Sequence, residues 1–325
     1  MLSRAADSLY WMSRYLERAE HSARLINVHL NTMVGQSPRA AERHWQRLFD
    51  ALRIPRPTDE NGHFHVIDPY QAIQGLTFDR ENGDSLISYI SAARENARQI
   101  REQLSSEMWE QINRIYLSLN QRSFDQVWND QPHAFFREIE NSTNLFQGLT
   151  ASTMMHDEGW RFIQIGGYLE KAISTASLVD AHYAIYQNAG LDPLPTDEYL
   201  QWVGLLKTCS AFEAYCRTYT PTLHTFHIGE FLLLNPVLPR SLHFCADRMH
   251  QAAQQIAAAT GNQRSQRVVR LTGRIQAKVR YGQIDEILAD GLHEFLSGMI
   301  DECQQVHSAL YKAHVDYTIA EEMQG

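Results

Sequence analysis

Residues 10–26, YWMSRYLERAEHSARLI, place aromatic and charged side chains together on one predicted helix. A guanidinium beside an aromatic ring can stack on that ring while its N–H groups fork toward a carboxylate. At about 100° per residue, Arg18 falls between an aromatic strip and a charged strip of the helix. These residue types predict a cluster that holds an anionic group or joins an ion-pair network. The candidate cluster consists of Trp11, Arg14, Tyr15, Glu17, Arg18 and His21.

The same charges also fit a solvated helix face. On such a face Glu17 would pair with His21, and Glu20 with Arg24, each pair contributing about 0.2–0.5 kcal/mol. However, the apolar and aromatic arc is wide for a helix with half of its surface in water. The pattern therefore favours a partly buried Arg–Glu network as strongly as it favours a solvated face. The spacing leaves both interpretations open.

A second copy of the central motif follows later in the chain. YLERA at 15–19 recurs as YLEKA at 168–172, which retains Tyr168 and Glu170. Further positions continue in register, where Ala23, Leu25 and Ile26 align with Ala176, Leu178 and Val179. The repeat predicts two helices with equivalent positions in a bundle.

The two copies differ at their basic positions. Lys171 takes the place of Arg18, and Gly167 takes the place of Arg14. Lysine cannot make the planar two-pronged contact of arginine. We therefore expect any function specific to the charges to lie in the first copy.

Three further segments carry weaker candidates. A charged helix at 93–104 most often indicates interhelical salt bridges, and acidic residues just before the second repeat complement a helix dipole. A turn at 235–236 is followed by an arginine that the pattern predicts to be exposed. These candidates are Arg94, Glu95, Asn96, Arg98, His156, Asp157, Glu158 and Arg240.

Known signatures of catalysis are absent from the sequence. Helical di-iron sites use Glu-x-x-His pairs, and that spacing occurs once, from Glu60 to His63 in a predicted loop. The pairs 247/250 and 290/293 have aspartate in place of glutamate. The chain has no phosphate-binding P-loop, no nucleophile elbow and no dinucleotide fingerprint. The sequence predicts neither a metal site nor a cofactor.

The elements that must position these residues are helical throughout. Apolar residues recur at spacings of three and four, for example at Leu9, Met12, Leu16, Ala19, Ala23, Ile26 and Leu30. Ser105 is a candidate N-cap, and residues 54–69 and 188–196 are predicted loops. We predict an all-α bundle of about ten helices forming a single domain over 1–325, with possible pseudo-symmetric halves 1–155 and 156–325.

Composition restricts the class of partner. The 325 residues carry a formal charge of −9, which argues against a general nucleic-acid binder. The longest apolar stretch, 230–238, is too short to cross a bilayer. Four cysteines without zinc-type spacing predict buried, reduced thiols, and an amphipathic helix at the N-terminus leaves no secretory segment. We expect a cytoplasmic protein that binds neither nucleic acid nor membrane.

Several ordered segments together resemble the Alpha-E family, bacterial all-helical domains named for a Glu-Arg motif. The matching segments are SLYWMSRYLERAEHSARL at 8–25, ARENAR at 93–98, SSEMWEQIN at 105–113, DEGWRFIQIGGYLEKA at 157–172, FLLLNPVLPRS at 231–241 and FCADRM at 244–249. Relatives usually carry arginine at the positions of Gly167 and Lys171. The resemblance assigns the motif to Glu17 and Arg18, with Glu170 and Lys171 as its weaker second copy.

The resemblance implies a partner. Members are typically encoded beside circularly permuted ATP-grasp proteins, which suggests a role in peptide or amide-bond synthesis or modification. We expect an accessory subunit of an ATP-grasp amide ligase, with a possible peptide ligand, more readily than an independent enzyme. One alternative is a hydrolase or transferase that uses Glu17 with neighbouring arginines and His21. Another is a purely structural Arg–Glu cluster.

Overall fold

A computed structural model of the chain describes residues 3–33, 38–58, 68–184 and 196–316. These ranges contain fifteen α-helices and no β-strand, which confirms the predicted all-α class. The helices are α1 (Ser3–Thr32), α2 (Pro38–Leu52), α3 (Pro69–Thr77), α4 (Leu86–Gln99), α5 (Ser106–Asn120), α6 (Phe124–Asn129), α7 (Pro132–Thr153), α8 (Glu158–Tyr183), α9 (Thr196–Thr208), α10 (Phe212–Thr218), α11 (Thr225–Leu234), α12 (Leu242–Thr260), α13 (Ser265–Tyr281), α14 (Ile284–Asp290) and α15 (Leu292–His314).

The helix count is higher than the predicted ten. Four of the helices, α3, α6, α10 and α14, have nine residues or fewer. A helix of two turns repeats its apolar residues too few times for periodicity to separate it from a loop. Of the predicted loops, residues 59–67 and 188–195 lie outside the described residues.

Local capping chemistry fixes several helix boundaries. Ser105 caps α5 as predicted, and its hydroxyl accepts a hydrogen bond from the backbone N–H of Met108. Ser241 caps α12 in the same way. Gly261 ends α12 with φ of +61°, a left-handed conformation that glycine adopts without a steric penalty.

The predicted apolar seam of α1 forms part of the core. Six of its seven residues are buried, and Leu30 is half-buried. The matching seam of α4, from Ile90 through Ala93 to Ala97, is buried as well. Burying one large aliphatic side chain contributes about 1.5–3 kcal/mol, so these seams determine which face each helix turns inward.

Helices α1 and α8 form the centre of the bundle and pack against each other. Helices α4 and α7 flank α1, and α5 packs across both of them. Helices α12 and α15 flank α8, and α13 packs across both of them. The division into halves 1–155 and 156–325 stays a prediction. If it holds, α4, α5 and α7 around α1 correspond to α12, α13 and α15 around α8.

The central helices approach closely at one point. Ser13 of α1 donates a hydrogen bond to the carbonyl oxygen of Ile163, at 2.7 Å. In the repeat alignment Gly166 of α8 corresponds to Ser13, and a Cβ added there would lie 2.7 Å from the carbonyl oxygen of Tyr10. A glycine is required here because the backbone of α1 occupies the space of a side chain.

None of the described helices combines the length and apolar character needed to cross a bilayer. The four cysteines are free thiols, three of them buried and Cys216 half-buried. Burial raises the pKa of Cys209, Cys245 and Cys303 to about 12, so these thiols stay protonated at neutral pH.

Candidate functional site

The glutamate of the second motif copy is held by the first copy. Glu170 is 4% exposed and accepts hydrogen bonds from Nε of Arg14 at 2.7 Å and Nε of Arg18 at 2.8 Å. Burial alone would raise the pKa of Glu170, but the two guanidinium groups lower it below its ordinary value. Glu170 is therefore an ionised carboxylate at the centre of the α1–α8 contact.

The glutamate of the first copy is held in turn by the second half of the chain. Glu17 is 1% exposed, with Nζ of Lys171 3.3 Å from Oε2 and Nη2 of Arg240 2.9 Å from Oε1. The side-chain amide of Gln147 also donates to Oε2 at 3.2 Å. Both carboxylate oxygens of Glu17 thus have donors.

The two motif copies exchange partners. The glutamate of the first copy contacts the lysine of the second, and the glutamate of the second contacts the arginine of the first. The exchange supplies a reason for the repeat, because each helix provides the countercharge of the other. Both copies are needed to satisfy the two buried carboxylates.

A third buried carboxylate extends the network. Glu20 contacts both Arg240 and Arg24, and Arg24 also lies 3.3 Å from Glu140. Burial would raise the pKa of Glu20, but the charges of Arg240 and Arg24 lower it. Of the two pairs considered on α1, the Glu20–Arg24 pair is therefore present, in a buried rather than a solvated setting.

Arg240 is buried, so the prediction of an exposed side chain is wrong. The turn before it is fixed by Asn235, whose side-chain oxygen accepts hydrogen bonds from the N–H groups of Val237 and Leu238. Thr175 donates to the carbonyl oxygen of Arg240 at 3.0 Å. The turn thereby directs the guanidinium to Glu17 and Glu20, partners that local sequence pattern cannot reveal.

His21 lies inside the network without a hydrogen bond. Neither ring nitrogen reaches a partner among the described residues, so the alternative Glu17–His21 pair is not formed. Burial, followed by the charge of Arg240, lowers the pKa of His21 to about 4. The imidazole is therefore neutral at pH 7 and cannot act as an imidazolium proton donor.

Aromatic rings cover the remaining faces of the arginines. The Arg14 guanidinium lies 4.7 Å from the Trp11 ring centre and donates to the Tyr10 hydroxyl at 3.2 Å. The Arg18 guanidinium lies 5.9 Å from the Tyr15 ring and 5.8 Å from the Tyr89 ring. The structure thus brings all the first-copy candidates together, and the solvated helix face is excluded because Arg14, Glu17 and His21 are buried.

The weaker candidates lie apart from this network, except for Arg240. Arg94 donates to Asn113 at 2.7 Å, and Asn96 donates to the carbonyl oxygen of Ala92. Glu95 and Arg98 form an exposed ion pair of the kind that contributes little to stability.

The acidic segment before α8 has capping contacts. Asp157 caps α8 by accepting from the N–H groups of Gly159 and Trp160, and Glu158 is the first residue of that helix. The exposed ring of His156 stacks on Trp160 with centroids 4.2 Å apart.

The candidate metal spacings do not converge. Asp290 ends α14, while His293 contacts Asp180 at 2.8 Å. His250 contacts the Thr272 hydroxyl at 3.0 Å. Across the part of the chain that the structure describes, no group of three His, Cys, Asp or Glu side chains is arranged to hold a metal ion. The Glu60 and His63 pair lies outside the described residues.

A cavity of about 420 Å³ lies beside the Glu17–Lys171 pair. Helices α1, α7, α8 and α12 line it, and it reaches the surface at Arg248 and Gln251, which are exposed. Its volume falls in the range of small-ligand sites. The side chains that give it chemical character include Trp160, Arg161, Gln164, Tyr168, Lys171 and Arg248.

The cavity lies where the second motif copy differs from the first. Gly167, which corresponds to Arg14, lines it. In the first copy Arg14 contacts Glu170, and beside the second copy Arg240 contacts Glu17. Because glycine has no side chain, Gly167 leaves its part of the cavity wall open.

Four cavity residues were not among the candidates that the sequence predicts: Gln147, Trp160, Arg161 and Arg248. Two of the segments that carry the family resemblance contain three of them, in GWRF and ADRM. These segments mark the residues as characteristic of the family, but they do not indicate that α8 and α12 line one cavity.

Comparison with known proteins assigns the sequence to a family. The Alpha-E family model, described as a predicted alpha-helical domain with a conserved ER motif, matches residues 1–315. An uncharacterized protein of Mycobacterium bovis is 22% identical over 318 residues, covering 91% of this chain and 35% of its own length. Uncharacterized proteins of two Mycobacterium tuberculosis strains are 22% and 21% identical with the same coverage. The chain spans about a third of the length of these relatives. No solved structure matches it.

Proposed function

The chain belongs to the Alpha-E family, and from that premise we propose that it is an accessory subunit of an ATP-grasp amide ligase. In this role it holds a peptide in the cavity beside Glu17 and Lys171 while the ligase partner performs the ATP-dependent step. The observation that carries the proposal is the pairing of a preformed cavity with a motif glutamate whose oxygens are already held by Arg240, Lys171 and Gln147.

Geometry favours binding over catalysis at this site. A general base needs a free lone pair directed at the proton that it removes, and a covalent nucleophile needs an adjacent base. Three of the about four lone-pair sites of the Glu17 carboxylate already accept from donors that the fold holds in place, and His21 reaches no described partner. The cavity instead offers amide, aromatic and cationic side chains, which are suited to recognition.

Co-purification with a circularly permuted ATP-grasp protein from the same organism tests the proposal. We expect the two proteins to form a complex when co-expressed, and we expect the chain to increase ATP turnover by the ligase in the presence of peptide. A failure to associate both with ATP and without it would overturn the proposal.

A matched pair of variants connects this activity to the cavity. Gly167→Arg places in the second copy the residue that the first copy carries, and its Cβ would lie 3.0 Å from the Ser13 hydroxyl. We expect it to retain association but lose the stimulation of ATP turnover. Gly298→Arg on α15 meets no atom within 4 Å of its Cβ and serves as the control. If both variants stimulate ATP turnover by the ligase equally, the stimulation does not depend on the cavity.

A second candidate function is an independent hydrolase or transferase. It is favoured by the position of Glu17 itself, which lines the cavity. On this hypothesis Glu17→Gln abolishes turnover by the chain alone and leaves the fold intact, with a native circular dichroism spectrum at a lower melting temperature because Lys171 and Arg240 lose their partner. Unfolding of that variant would instead indicate that the glutamate is structural.

A further inference from the structure

The cavity beside Glu17 has an excess of hydrogen-bond donors. Its wall carries three cationic side chains, Lys171, Arg161 and Arg248, against the single carboxylate of Glu17. That carboxylate is already paired with Lys171 and with Arg240 from outside the cavity. The uncompensated charge of the wall is therefore positive, and it favours an anionic ligand.

The two arginines are available to a ligand. The Arg161 guanidinium lies 4.6 Å from the Trp160 ring centre, and the Arg248 guanidinium lies 4.9 Å from that of Phe244. Stacking of this kind orients a guanidinium and leaves its in-plane N–H groups free to donate. Among the described residues, neither arginine forms an ion pair, and Arg248 donates only to the neutral amide of Gln251, at 3.3 Å.

Trp160 contributes its aromatic ring to the cavity wall. Its indole nitrogen is buried and has no hydrogen-bond partner among the described residues. Because that nitrogen is closed to solvent, it does not face the cavity, and the donors open to a ligand are those of the arginine and glutamine side chains.

The remaining polar groups match an amide. Gln147, Gln164, Gln251 and Gln255 line the cavity, and each side-chain amide both donates and accepts. Such groups complement the N–H and C=O of a peptide bond. Phe146 and Leu16 add apolar wall against which short aliphatic side chains can pack.

A phosphate fits this wall less well. Arginine binds phosphate as well as carboxylate, but phosphate sites commonly add free backbone N–H groups at a helix N-terminus. The first turn of α8 borders the cavity, but its Gly159 and Trp160 N–H groups already donate to the carboxylate of Asp157. The available donors belong to long side chains spread along the cavity wall, an arrangement suited to an extended ligand with a terminal carboxylate.

We propose that the cavity binds a short peptide through its free C-terminal carboxylate, which Arg161 and Arg248 bind while the glutamines contact the peptide bonds. This inference rests on the proposed function, because it names the part of the peptide that the accessory subunit holds. Its test uses the chain alone, so it can fail while association with a ligase succeeds, and the reverse.

Isothermal titration calorimetry on the purified chain tests the proposal with three probes. These are N-acetyl-trialanine with a free carboxylate, the same peptide with a C-terminal amide, and inorganic phosphate. We expect the free acid to bind at least about tenfold more tightly than the amide, because a charge-assisted hydrogen bond is lost. Equal binding of acid and amide would overturn the proposal. Tighter binding of phosphate, or no binding of the acid at about 10 mM, would do so as well.

Variants on the cavity wall complete the test. Arg161→Gln and Arg248→Gln should each weaken the free acid about tenfold or more and leave the weak binding of the amide unchanged. Arg267→Gln on α13 is exposed and outside the cavity wall, and should bind both probes as the unmodified chain does. Because Arg248 is exposed, thermal unfolding of its variant should match that of the control. Unchanged acid binding in both wall variants would exclude this site.

Discussion

The buried carboxylates of α1 and α8 act at the scale of single residues. Glu170 faces two guanidinium groups, and Glu17 faces an ammonium and a guanidinium. Removing one partner of a buried pair is far more costly than removing an exposed pair, since the remaining charge is left in a poorly solvating environment. The motif therefore carries a large structural contribution whatever ligand the cavity holds.

Replacing Glu170 tests this contribution. Glu170→Gln removes the charge opposite Arg14 and Arg18, and we expect the free energy of unfolding to fall by about 3–5 kcal/mol. Urea denaturation followed by circular dichroism measures the change. The control is Glu95→Gln, which removes an exposed partner of Arg98 and should leave the midpoint unchanged. A loss below about 1 kcal/mol for Glu170→Gln would show that its ion pairs with Arg14 and Arg18 contribute no more than a surface salt bridge.

At this scale the sequence could predict which residues form a cluster but not how deeply they lie. Spacing on one helix placed Arg14, Glu17 and Arg18 close together, and the structure keeps them so. Burial of Arg14 and Glu17 depends on Glu170 and Arg240, which arrive from distant parts of the chain. Periodicity describes one helix at a time, so it does not show which other helices pack over that helix and bury its charged residues.

The crossing of α1 and α8 is the main feature at the scale of elements. The two helices approach until the carbonyl oxygen of Tyr10 occupies the place of a Gly166 side chain, and Ser13 bonds to the backbone of α8. This approach lets Lys171 and Arg18 reach across to the opposite glutamates. The aligned repeat predicted two equivalent helices, but the close contact between them could only be seen in the folded chain.

Adding one methyl group at the crossing should separate the helices. In Gly166→Ala the new Cβ meets backbone at 2.7 Å, so one helix must shift, and we expect a loss of about 1–3 kcal/mol in stability. Gly148→Ala on α7 meets nothing within 4 Å and should instead gain about 0.5–1 kcal/mol from its better helix propensity. Thermal unfolding of the two variants measures both changes. A Gly166→Ala variant as stable as Gly148→Ala would contradict the close approach.

Over the whole molecule, the two predicted halves depend on each other. The cations that contact Glu17 lie in the second half, at Lys171 and Arg240, and those that contact Glu170 lie in the first half, at Arg14 and Arg18. Each half therefore buries a carboxylate that only the other half can neutralise. The cavity follows the same rule, because α1 and α7 line one side and α8 and α12 the other.

Separate expression of residues 1–155 and 156–325 tests this dependence. We expect neither fragment to unfold cooperatively on its own, because each would expose the apolar seam of its central helix and leave its charged groups unpaired. Mixing the fragments should restore a cooperative melt, since the seam and the exchanged ion pairs then form together. The same mixture carrying Glu170→Gln in the second fragment should reassemble more weakly. A fragment that melts cooperatively alone would show that one half is an independent domain and that the exchange of charges joins two folded units.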